Sequence, residues 1–181
     1  MRNITIELSE EHQNILRVID AVLEKCNQVE NGNPAEPGYF GDVISFIKNY
    51  ADGYHHRKEE DILFKAMLES VDCMHCNPIP VMLHEHDEGR QYVKEMVEAL
   101  AAENTELLIE NARNYCELLQ NHIYKEDNIL YPMAEEALNE EQKESVENQY
   151  AQVNVTDYLG SDVESVVARL TKSNMKNTTI I

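Results

Sequence analysis

His55-His56-Arg57-Lys58-Glu59-Glu60-Asp61-Ile62-Leu63-Phe64 recurs further along the chain as His122-Ile123-Tyr124-Lys125-Glu126-Asp127-Asn128-Ile129-Leu130-Tyr131. Both segments read H-x-x-K-E-(acid)-x-I-L-(aromatic). On an α-helix, residues at i and i+4 are rotated by about 40° and lie about 6 Å apart along the axis. His55 with Glu59, and His122 with Glu126, therefore each project to one spot. A Glu-His pair precedes each segment, Glu11-His12 and Glu85-His86. The chain reads as one helical hairpin used twice, each half offering a histidine and then His-x-x-x-Glu.

The surrounding apolar spacing supports helices throughout. Leu8, His12, Ile15, Ile19, Val22, Cys26 and Val29 alternate steps of four and three, the core stripe of a bundle helix. A second helix, residues 37–69, carries Phe40, Ile44, Ile47, Ala51, His55, Glu59, Ile62 and Ala66 on its stripe. A third, residues 79–102, carries Met82, His86, Gly89, Val93, Met96 and Leu100. A fourth, residues 105–138, carries Leu108, Tyr115, Leu119, His122, Glu126, Ile129 and Met133. Short connections imply an all-α, up-down-up-down antiparallel four-helix bundle. Residues 1–138 form that domain, and 139–181 form a C-terminal helical extension and tail, peripheral to the bundle, in which Asn139 is the expected N-cap.

Composition narrows the function. With 34 acidic against 15 basic residues the formal charge is −19, which repels nucleic acid and anionic membrane surfaces alike. No apolar run has the length of a signal peptide or a membrane span. A cytoplasmic protein that binds neither nucleic acid nor membrane is the expectation. The four cysteines, Cys26, Cys73, Cys76 and Cys116, lack the density of a disulfide scaffold. Cys73-Met74-His75-Cys76 has the spacing of half a zinc site or a redox pair, but with no second pair it reads as two free loop thiols.

Six polar side chains interrupt the stripes: His12, His55, Glu59, His86, His122 and Glu126. A carboxylate left unpartnered in an apolar core costs several kcal/mol, and two together repel. No lysine or arginine falls on the stripes. A pair of cations supplies the missing charge, with neutral imidazoles completing the coordination and carboxylates able to bridge. A donor set of histidine and carboxylate without thiolate favours iron or manganese, alone or mixed. His56 and His84 turn away from this spot and read as surface or supporting residues. Tyr50, Tyr54, Tyr115, Tyr124 and Tyr131 read as packing; Glu60 and Asp127 read as a solvated face or as hydrogen-bond partners of a ligating imidazole. Lys58 and Lys125 read as surface residues.

On Glu11-His12, the His55 to Phe64 segment, Glu85-His86-Asp87-Glu88 and the His122 to Pro132 segment, the chain resembles the hemerythrin-like HHE cation-binding family over residues 5–138. The resemblance implies two non-haem irons with His12, His55, His86 and His122 as terminal ligands and Glu59 and Glu126 as bridges. It places His12 and His55 on one iron and His86 and His122 on the other. Oxygen-carrying hemerythrins of invertebrates have a further histidine four residues after the third-helix ligand, where this chain has Arg90. The ligand set is more similar to di-iron proteins that repair iron centres after oxidative or nitrosative stress, which usually carry an additional short N-terminal cysteine-bearing domain.

Three functions follow as expectations. In the first, open coordination positions take dioxygen, peroxide or nitric oxide, for sensing, detoxification, iron-centre repair or oxygen carriage. In the second, the chain is a metal-binding or iron-responsive module without catalysis, whose folding depends on occupancy. In the third, it is a plain interaction bundle, in which replacing His86 or Glu126 by Leu would stabilise the fold.

Overall fold

The structure, a computed structural model, describes residues 3–70 and 76–172. All regular structure among the described residues is helical. Helix α1 is Ile6–Glu30. Helix α2 runs continuously over residues 37–69. It opens as an α-helix at Pro37–Phe46, widens to π-type turns at Ile47–His56 and Glu59–Leu63, and closes as an α-helix at Phe64–Glu69. Helix α3 is Ile79–Ala101. Helix α4 runs over residues 105–137, as Thr105–Lys125, a π-type turn at Glu126–Leu130, and Tyr131–Ala137. Three shorter helices follow: α5 Glu140–Tyr150, α6 Thr156–Leu159 and α7 Val163–Lys172.

The starts follow from side-chain chemistry. Pro37 opens α2 and Pro80 lies in the first turn of α3, where a missing N–H costs nothing. Asn104 caps α4 by accepting from the Leu107 amide at 3.1 Å. Asn139 caps α5 in a reciprocal box: its side chain accepts from the Gln142 amide, and the Gln142 side chain accepts from the Asn139 amide.

The stripes bury as expected through most of their length, and their register changes at the π-type turns. Ile129 was expected in the core but is 50% exposed, while Leu130 is 1% exposed and takes its place. The extra residue in the turn Glu126–Leu130 shifts everything after it by one position. Accordingly Ala134 rather than Met133 is fully buried. The same shift in α2 buries Leu63 and Met67 more deeply than Ile62 and Ala66.

The buried apolar residues form two clusters. One gathers residues of α1, α2, α3 and α4 such as Ile19, Phe40, Phe46, Met96 and Cys116; the other gathers Leu8, Leu63, Met67, Met82 and Leu130. The C-terminal segment is not peripheral, contrary to expectation. Val167 and Leu170 of α7 join the first cluster, and Val146 and Tyr150 of α5 join the second. The physical reason is that α7 is amphipathic, with Val166, Val167 and Leu170 on one edge, while α5 buries Val146 and Tyr150, one turn apart on an otherwise polar helix. Cys26 and Cys116 are buried free thiols, and burial pushes the Cys26 thiol up to about 11. Of the Cys73 to Cys76 stretch only Cys76 lies within the described residues, and it is exposed. Among the described residues no helix is long and apolar enough to cross a membrane.

Candidate metal centre

All six stripe residues meet in the interior. His12, His55, His86 and His122 are each at most 1% exposed, and Glu59 and Glu126 are 0% exposed. The Nε2 atoms of His86 and His122 converge to 3.0 Å. Glu59 Oε2 lies 3.6 Å from His55 Nε2 and 3.6 Å from His86 Nε2. Glu126 spreads its two oxygens, with Oε2 at 3.3 Å from His12 Nε2 and Oε1 at 3.0 Å from His122 Nε2.

The opposite edge of every imidazole is anchored. His12 Nδ1 donates to Asp127 Oδ1 at 2.9 Å and His55 Nδ1 to Glu11 Oε2 at 2.9 Å. His86 Nδ1 donates to Glu60 Oε1 at 2.7 Å and His122 Nδ1 to Glu85 Oε2 at 2.8 Å. A carboxylate accepting at Nδ1 fixes the tautomer that leaves the Nε2 lone pair facing inward, the arrangement that metal-ligating histidines adopt.

These contacts explain each position of the repeated motif. The Glu of a Glu-His pair holds the histidine of its own hairpin, Glu11 to His55 and Glu85 to His122. The acid after each motif glutamate holds the histidine of the other hairpin, Glu60 to His86 and Asp127 to His12. The motif lysine secures the first kind of contact: Lys58 Nζ donates to Glu11, and Lys125 Nζ donates to Glu85. Lys58 was expected at the surface but is 0% exposed; it also donates to Glu7 Oε1 at 2.7 Å and sits 4.4 Å from the centre of the Tyr54 ring. A buried ammonium is tolerable there because its carboxylate partners and an aromatic face surround it. Lys125 is partly exposed, as its partner Glu85 lies nearer solvent.

The supporting tyrosines divide. Tyr131 donates to Glu59 Oε1 at 2.7 Å and stacks on His12, with ring centres 5.4 Å apart. Tyr124 is 66% exposed, and Tyr50, Tyr54 and Tyr115 are buried packing residues. His84 is exposed.

His56 departs from its expected place. It is 5% exposed, its ring stacks on His86 with centres 3.8 Å apart, and it joins Glu59, His86 and His122 in a group whose donor atoms all lie within 4.8 Å of one another. The other such group is His12, His55, Glu59 and Glu126. A strict helical period turns His56 away from the centre, whereas the π-type turns of Ile47–His56 rotate successive residues less. Two histidines in succession were the visible signal; the widened helix was not.

The charge balance of the bare side chains is strained. Burial and the neighbouring Glu126 charge push the Glu59 carboxyl well above its ordinary range. For Glu126, burial is overcome by His122 and His12, which hold it well below that range. His12 rises to about 9 against burial, through Asp127 and Glu126, and His122 rises to about 10 against burial, through Glu126 and Glu85. His55 and His56 are pushed well down, chiefly by burial.

His55 Nε2, Glu59 Oε2 and both oxygens of Glu126 are buried without a well-aligned hydrogen-bond partner. Unsatisfied donor atoms this concentrated are costly unless something else occupies them. Together with the Nε2 atoms of His12, His86 and His122 they converge from four helices, are hard or borderline donors, and include no thiolate, so they fit non-haem iron or a similar cation.

Comparison with known proteins agrees with this chemistry. A family model described as the hemerythrin HHE cation-binding domain matches residues 3–134. An iron-sulfur cluster repair protein YtfE from Pectobacterium carotovorum is 29% identical over 131 residues, covering 68% of this chain and 59% of that protein. A YtfE from Dickeya chrysanthemi is 26% identical over 141 residues, covering 73% and 63%. A probable iron-sulfur cluster repair protein from Haemophilus influenzae is 30% identical over 131 residues, covering 67% and 57%. The chain thus spans about three fifths of the length of these relatives. No solved structure matches it. With that family model matching residues 3–134, the chain belongs to the hemerythrin HHE cation-binding domain family.

Proposed function

We propose that the four long helices form an up-down-up-down antiparallel bundle, residues 1–138, holding two non-haem iron ions. His12 and His55 serve one ion and His86 and His122 the other, with Glu59 and Glu126 bridging. Residues 139–181 are a C-terminal extension, of which α5 and α7 add to the packing of the bundle. The observation that carries this reading is the set of four imidazoles, each anchored at Nδ1 by its own carboxylate, around carboxylate oxygens that lack partners.

The two ions would supply positive charge and open coordination positions. The protein's own part is to hold the Nε2 lone pairs inward, to keep water away from the carboxylates, and to admit a small molecule. A cavity of about 290 Å³, lined by Ile47, Val93, Leu119, His56, His86 and Arg90, reaches the ligand cluster. Its size and mostly apolar wall suit dioxygen, peroxide or nitric oxide. The matched relatives are named as iron-sulfur cluster repair proteins, and we infer a role in iron-centre repair or in sensing or removing these small oxidants, in the cytoplasm.

Iron analysis and optical spectroscopy test this reading. Reduced, iron-loaded protein should hold two irons per chain and develop near-ultraviolet absorption on admission of air. A full iron complement with an unchanged spectrum would favour a cation-responsive module that does no chemistry. Protein unable to take up iron would refute the reading.

A further inference from the structure

The two halves of the chain are not equivalent where they meet. In the fourth-helix copy of the motif, the positions matching Asp52 and His56 are Leu119 and Ile123, both buried and apolar, as an i, i+4 pair facing a core should be. The first copy replaces that pair with two ionisable residues. His56 Nδ1 donates to Asp52 Oδ1 at 3.4 Å, which leaves Nε2 as its free ring nitrogen. His56 is buried at 5% exposure while Asp52 is half-buried, and burying a polar ring where the same chain uses Ile costs stability. Arg90 holds the arrangement: it donates to Asp52 Oδ1 at 2.8 Å through Nε and to Glu60 Oε1 at 2.6 Å through Nη2. The same guanidinium therefore fixes the anchors of both His56 and His86. The matching position in the first half, four residues after His12, is Leu16.

We propose that His56 is a third imidazole ligand for the cation held by His86 and His122, so that this chain binds two cations in unequal sites, one with three histidines and one with two. The proposal rests on the two-cation reading above and goes beyond it. Every anchored histidine of the centre shares one pattern, Nδ1 on a carboxylate and Nε2 free, and His56 completes that set as a fifth member. Its donor atoms fall in the same cluster as those of Glu59, His86 and His122. The His56 ring lies nearly parallel to that of His86, 11° between planes with centres 3.8 Å apart. His56 also lines the cavity of about 290 Å³, on the side of the cluster formed with Glu59, His86 and His122. The unequal sites put the three-histidine cation at the cavity and the two-histidine cation beside Tyr131.

The test uses the full chain and two variants. The double variant Asp52→Leu with His56→Ile writes the second half's own apolar pair into the first, and should fold and melt at least as well as the metal-free wild type. His56→Gln keeps the side-chain volume and a donor to Asp52 but offers no ring nitrogen. Loaded with iron-57, the wild type should show two cations per chain with distinct Mössbauer signals. In both variants one signal should change while the other stays, and a chelator should remove one of the two cations at least about tenfold faster, in line with the loss of a ligand. Two cations released at wild-type rates with both signals unchanged would overturn the role of His56 and leave the two-cation reading standing. A wild type that takes up no iron would overturn the two-cation reading, and this proposal with it.

Discussion

At the scale of single residues, the centre is held from behind. Asp127 touches His12 and Ser9, and its side chain is 26% exposed, so its loss should disturb the fold little. Asp127→Ala frees the His12 ring to turn. Metal affinity should fall about 10–100-fold, the usual consequence of losing an anchoring carboxylate, with only a small change in the melting temperature of the metal-free protein. Competition against a chelator measures it; unchanged affinity would show that the His12–Asp127 contact does not serve the site. Much of this residue-level design was legible in the sequence. The six stripe positions could be read because polar residues in an apolar stripe are anomalous, and Glu60 and Asp127 because they follow Glu59 and Glu126 directly. Lys58 and His56 could not. The partners that make them tolerable in the interior, Glu11 and Glu7 for one and Asp52 for the other, come from another helix or from a widened turn.

At the scale of elements, helix limits were readable to within a residue or two because prolines, asparagine caps and long uninterrupted stripes mark them. The π-type turns were not, since a stripe read at a fixed period cannot register one inserted residue. Ile129 and Leu130 test the observed register directly. Ile129→Ala should change stability by less than about 0.5 kcal/mol, as expected of a half-exposed side chain, whereas Leu130→Ala should cost about 2–5 kcal/mol. Denaturant unfolding separates the two, and the reverse ranking would restore the fixed-period stripe. The C-terminal helices are open to the same test. Leu170, 1% exposed in α7, should cost about 2–5 kcal/mol when cut to Ala; a loss below about 0.5 kcal/mol would return α7 to the periphery.

At the scale of the whole molecule, protonation and cation binding compete for the same atoms. In the metal-free protein His12 and His122 are raised to about 9 and about 10, so the stability they contribute is complete below their unfolded value of 6.5 and is lost as the pH rises through 9 to 10. Glu59, also raised, acts in the same direction. His55 and His56 are lowered, so their contribution is present above 6.5 and is lost as the pH falls below it. Metal-free protein should therefore melt highest near pH 6.5, falling as the pH rises from there towards 9 to 10 and also as it drops below 6.5. Because ligands shed protons when they bind, apparent cation affinity should rise at least about tenfold per pH unit from pH 6 to 8. Titrations at three pH values measure the slope, and a flat profile would deny that imidazoles are the ligands.

The most direct measurement of the central claim is the iron content of loaded protein beside its melting temperature, for the wild type and for Glu126→Leu. A buried carboxylate with both oxygens free of well-aligned partners is costly, and a bound cation relieves that cost. The wild type should hold two irons per chain and lose much of its thermal stability on chelation; Glu126→Leu should lose iron, and its melting temperature should not respond to chelation. A wild type without iron, or a Glu126→Leu protein that keeps two irons at wild-type affinity, would contradict it.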